Sequence, residues 1–171
     1  MTTTMKTRFI LAAVLVAGSL SGCLATVPSI DAQRSINAQT RAQVAKAIQR
    51  PKIEADGTLV SPWIRAAMMS AFSMRAEHLG LRIDPNGVPV TIHITSVRSR
   101  SDGARMAFNF FDGADYVSGT VDVGDATFEV GENTWLYWAP TGFRSIQDVA
   151  EAVGKQVANG VAIVAGEPIE E

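Results

Sequence analysis

Val90-Thr91-Ile92-His93-Ile94-Thr95 decides how this chain folds. Apolar and polar residues alternate with a period of two, so an extended backbone puts one side against a core and the other in water. The pattern returns at Ala104, Met106, Phe108 and Phe110, set between Arg105, Ala107, Asn109 and Phe111, and again at Val117, Gly119, Val121 and Val123. Thr127 to Glu129 and Trp135 to Trp138 supply one or two further strands. Asp102-Gly103, Asp112-Gly113, Gly124-Asp125 and Gly131-Glu132 punctuate these runs with turn residues. Consecutive strands with short connections predict an antiparallel meander of four to five strands.

On either side of the meander the period changes to that of a helix. Ser61 then Pro62 place a cap and a first-turn proline, and Gly80 closes the segment. Ile64, Met68, Ala71, Phe72, Arg75 and Leu79 make one stripe, which Trp63 and Met69 widen. After the strands, Ser145 with Asp148 forms a capping-box start, and Ile146, Val149, Val153, Val157, Val161 and Val164 line one face. Between Asp31 and Arg50, residues Ile36, Thr40, Val44, Ala47 and Ile48 fit a helix ending before Pro51. Ile36, Ala38, Thr40, Ala42 and Val44 also alternate, so an edge strand competes for part of that stretch. The expected fold class is α+β, with two to three helices packed on one face of the sheet.

The whole chain has 171 residues, of which 47% are apolar and 19% charged, too apolar for a disordered protein and enough for one domain. Its single cysteine excludes an internal disulfide framework and any multi-cysteine metal site. A net charge of −2 gives no overall attraction to nucleic acid.

Residues 1–22 have the layout of a secretory signal: Lys6 and Arg8, then the unbroken apolar run Phe9 to Ala17. That run is short of the roughly 20 residues a membrane-spanning helix needs. Leu20-Ser21-Gly22-Cys23 follows it. An aliphatic residue, two small residues and a cysteine at this place resemble the lipobox of bacterial lipoproteins, over residues 1–23 only. The resemblance implies a diacylglyceryl group on the Cys23 sulfur, cleavage by signal peptidase II before Cys23, with Leu20, Ser21 and Gly22 as its recognition residues, and acylation of the new amino group. Two or three acyl chains, at about 0.8 kcal/mol per buried CH₂, hold a protein on a bilayer where one chain does not. Leu24 and Ala25, in place of an aspartate after the cysteine, imply by the same resemblance the outer membrane rather than the inner one.

The expected organisation is therefore a signal at 1–22, a lipidated tether at 23–30, one periplasmic domain at 31–165 and an acidic tail at 166–171. The seven residues after Cys23 reach about 23 Å when extended. Loss of Lys6 and Arg8 leaves 13 basic against 17 acidic side chains, a mildly acidic body not expected to lie flat on anionic lipid.

For chemistry the residues offer little. His78 and His93 show no Cys, His or acid at ligand spacing, and no nucleophile elbow, HExxH or Walker-type loop occurs. No catalytic residue, metal or cofactor is expected. Asp112, Asp115, Asp122 and Asp125 lack the order of a calcium loop and read as turn residues and a solvated strand face. Arg98, Arg100 and Arg105 straddle a turn and suit either an anionic group or a plain solvent-facing hairpin tip. Trp135, Tyr137 and Trp138, with Phe143, form the preferred partner surface, since four large neighbours on a strand cannot all face one core. Cover by the first helix or by residues 51–60 is the alternative. In outline the chain resembles small α+β lipoproteins that serve envelope machines. That implies a non-enzymatic, anchored component binding a protein partner in assembly or transport, with a lipid- or small-molecule-binding module as the alternative.

Overall fold

A computed structural model describes residues 36–55, 57–99, 114–134 and 145–169. In chain order these form α1 (Ala38–Lys46), β1 (Lys52–Glu54), α2 (Pro62–His78), β2 (Val90–Arg98), β3 (Tyr116–Val123), β4 (Ala126–Asn133) and α3 (Ile146–Ala165). The fold is α+β, and the four strands lie in the order β1-β2-β3-β4.

The sheet is mixed, which corrects the expectation of a purely antiparallel meander. β2, β3 and β4 are successive antiparallel neighbours, but β1 pairs parallel to β2, Ile53 opposite Ile92. A parallel pair needs a long crossover, and α2 supplies it. The expected strand at 104–110 and the one at 135–138 lie outside the described residues. Gly131-Glu132, expected as a turn, runs on inside β4.

Local chemistry accounts for the ends of the elements. Ser61 accepts the Ile64 amide and Pro62 opens α2, while Gly80, at φ 70°, carries the chain away beyond the last turn. In α3 both halves of the Ser145–Asp148 capping box form, and Gly166 ends the helix at φ 89°. Gly124, at φ 61°, takes the first central place of the two-residue β3–β4 hairpin, where a left-handed backbone is required. In the 31–50 segment the described helix stops at Lys46, short of Pro51, because Ile48 pairs instead with the chain after α2: its amide donates to Arg82 and its carbonyl accepts from Asp84.

Alternation along the strands works as expected. Ile92, Ile94, Val117, Val121, Phe128 and Val130 point into the core, which α2 and α3 close from one side. Each such side chain contributes about 1.5–3 kcal/mol on burial. α3 is the central helix, packed on β3, β4, α1 and α2, and its second half is buried almost all round. Two polar side chains there are satisfied. The Gln156 amide exchanges hydrogen bonds with both the N–H and the carbonyl of Gly131, at 3.0 and 3.1 Å, and Asn159 accepts from Arg75 at 2.8 Å. Gly154 lets α2 approach until a methyl there would meet the Met68 carbonyl. Trp63, expected to widen the buried stripe, is 47% exposed.

Candidate functional site

Among the described residues the helices cover one face of the sheet, and the opposite face is polar. Register places Lys52, Thr91, Asp122 and Thr127 in one row across it, and Glu54, His93, Thr120 and Glu129 in the next. Ser96 with Ser118, then Arg98 with Tyr116, continue the face beyond a bulge at Thr95.

A chain of polar contacts runs across all four strands. Lys52 Nζ lies 2.7 Å from Glu54 Oε1 on β1, and Glu54 Oε2 lies 3.5 Å from His93 Nδ1 on β2. His93 Nε2 is 3.0 Å from Asp122 Oδ2 on β3, whose Oδ1 accepts the Thr127 hydroxyl of β4 at 2.6 Å. Both ring nitrogens thus face carboxylates. A neutral imidazole has one N–H and donates to one of them, whereas the imidazolium donates to both. The hydrogen bond from Lys52 and its charge, with a smaller contribution from His93, hold the Glu54 carboxyl below its ordinary value. The same pair raises Lys52.

The sequence reading of His93 as remote from acids is therefore corrected: strand pairing brings two to it. His93 and Asp122 share the outward parity, but the partner of each strand is not written in the alternation. Glu54 gives no sequence signal, because β1 is only three residues long. Glu54 and Asp122 approach opposite nitrogens of the ring, so the three do not converge on one point, and no group of three potential ligands among the described residues could hold a metal ion. Asp115 corrects the solvated-face reading of the acids. It is fully buried, its amide donating to the Thr134 hydroxyl while its carbonyl accepts the Thr134 amide.

A second feature is an open cleft of about 640 Å³ between the end of α1, the segment after α2 and the β3–β4 turn, with Ala47, Val88 and Pro89 making part of its wall apolar. Gln43, Lys46, Arg82, Asp84 and Asn86 line it. Asp84 accepts the Asn86 amide at 2.9 Å and Arg82 at 3.1 Å. The Asn86 backbone N–H, with the guanidinium adding to it, keeps the Asp84 carboxyl below its usual range. An apolar wall with a few polar groups is the usual make-up of a small-molecule site.

Of the residues singled out in the sequence, Arg98 is described: it ends β2, exposed, opposite Tyr116. Arg100 and Arg105, the aromatic set Trp135, Tyr137, Trp138 and Phe143, and Leu20, Ser21, Gly22 and Cys23 all lie outside the described residues. No described helix is long and apolar enough to cross a membrane. No family model matches the sequence, and no significant match to it is found among curated proteins or solved structures.

Proposed function

We propose that this chain is a lipid-anchored protein of the bacterial cell envelope, non-enzymatic, whose folded domain binds a protein partner in envelope assembly or transport. The observation that carries this reading is Leu20-Ser21-Gly22-Cys23 placed directly after the apolar run Phe9 to Ala17, with Cys23 the only cysteine in the chain. Cys23 is the lipidated residue, and the body faces the periplasm from the outer membrane. The open sheet face supports the binding part: among the described residues it is a broad, hydrogen-bonding surface with no helix over it, and strand rows present their side chains to a partner in fixed register. Arg98 sits at one end of this face, and the expected aromatic surface, Trp135 to Phe143, follows β4 in sequence.

In-cell photocrosslinking tests the binding part. A photoreactive residue at Thr120 or Arg98 should trap one discrete envelope protein, while the same residue at exposed Lys155 on α3 should not. Adducts equal at all three positions, or none at any, contradict a partner on the sheet face. The cleft between α1 and the β3–β4 turn favours a second reading, a small-ligand module. Under that reading Lys46→Ala should release a co-purified polar ligand that native mass spectrometry detects on the wild-type chain.

A further inference from the structure

As far as Met74 the outer face of α2 carries no charged side chain, unlike the face a helix on a soluble domain normally presents, and exposed Glu77 in the last turn ends the neutral stretch. Its inward stripe is Ile64, Met68, Ala71, Phe72 and Ala76. Opposite to it, at helical spacing over about 16 Å, stand Trp63, Ala66, Ser70 and Met74. Trp63 is 47% and Met74 60% exposed, and Leu59, just before the cap, is 96% exposed. From Gly57 to Ala76 there is no acid at all. The two cations in that span are turned to protein: Arg65 donates to the Ile53 and Val60 carbonyls, and Arg75 to Asn159. Their charge stands behind a neutral surface instead of on it.

Charge is also divided along the chain. Residues 36–99 carry eight basic and four acidic side chains, residues 114–169 two and eight. The mildly acidic total therefore hides a basic stretch of chain, to which α2 belongs, with Arg50 exposed ahead of it, while Lys52 and Arg98 of the same stretch lie on the polar sheet face.

We propose that the outer face of α2, from Leu59 to Met74, rests on the surface of an anionic lipid bilayer. This rests on the anchoring at Cys23 proposed above. From Cys23 to Ile36 the chain reaches about 45 Å at most, which keeps the domain close to the lipid. At that enforced concentration a small patch is enough to orient the body. Tryptophan and leucine partition into the interfacial zone, and a Lys or Arg that comes near an anionic surface adds about 1 kcal/mol. The polar face of the sheet, on the other side from α2, then turns away from the headgroups and stays open to a partner.

The test uses the full lipidated chain in vesicles of phosphatidylethanolamine and phosphatidylglycerol. With the Cys23 sulfur held as a diacylglyceryl thioether, an introduced thiol is the sole reactive one, so Leu59→Cys, Met74→Cys and Glu129→Cys are each labelled with bimane. Brominated acyl chains should quench the labels at 59 and 74 severalfold more than the label at 129. Adding Ala66→Glu and Ser70→Glu should cut the quenching at 59. Vesicles that float the protein but quench all three labels alike overturn the inference and leave the anchor standing. Labels at 59 and 74 shielded from water without lipid quenching mean that a protein covers the face, and overturn it too. A wild-type chain that itself takes the label and does not float removes both proposals together.

Discussion

Single residues in this fold are constrained by what lies against them, and the tightest case is Gly154. A methyl group there meets the Met68 carbonyl oxygen, and backbone on a neighbouring helix cannot move aside as the end of a side chain can. Gly154→Ala should therefore lower stability by about 1–3 kcal/mol, read as a drop in the urea midpoint. An unchanged midpoint would mean that α2 and α3 are not in close contact. Gln156 is the second case. Replacing it with Leu leaves the Gly131 amide and carbonyl without their partner, at a cost of about 1–3 kcal/mol. Hydrogen exchange should show the loss first at Gly131. Glycine and glutamine inside a valine-rich helix are visible in the sequence, but which atoms they meet is not. Gly154 reads equally as a weakness of the helix or as a close approach.

Elements differ in how much of their making is local. The start of α2 at Ser61-Pro62 and the start of α3 at Ser145 with Asp148 are legible because a cap and its partner lie three residues apart. Ser145→Ala should accordingly cost about 0.5–2 kcal/mol and fray the first turn of α3, measured by helical circular dichroism and the urea midpoint. β1 stands at the other extreme. Three residues after a proline carry no periodicity, and their pairing with β2 joins residues about forty positions apart. The mixed sheet follows from that one long-range pairing, which is why the meander alone was legible. The exposure of Trp63 has a related cause: apolar spacing shows that a helix has a greasy side, but not how wide a side its neighbours cover.

The polar chain across the sheet makes β1 sensitive to acid. Glu54 and Asp84 have carboxyls held below their ordinary values of 4.5 and 3.8, so each binds protons more readily in the unfolded chain. Their stabilisation is complete above those values and disappears as pH falls through the lowered folded ones. The urea midpoint of the wild type should therefore fall more steeply below pH 4.5 than that of a Glu54→Gln, Asp84→Asn double variant. Parallel curves would show that neither carboxylate is engaged in solution.

At the scale of the molecule, the proposed function divides between an address and a surface. The proposed address rests on four residues, because signal peptides are read as extended sequence before any fold exists. The surface is not, because the polar sheet face becomes one site only when β1, β2, β3 and β4 are aligned. His93 illustrates this: alone in the sequence, it lies between Glu54 and Asp122 once the strands pair. In the two proposals the neutral outer face of α2 lies toward lipid, and the polar face, on the other side of the sheet, lies toward a partner. All of it depends on acyl chains at Cys23. The most direct measurement is the intact mass of the protein extracted from native membranes, with fragmentation of its N-terminal peptide. The account predicts a chain beginning at Cys23 and carrying a diacylglyceryl thioether; a chain with an unmodified Cys23 thiol would contradict it.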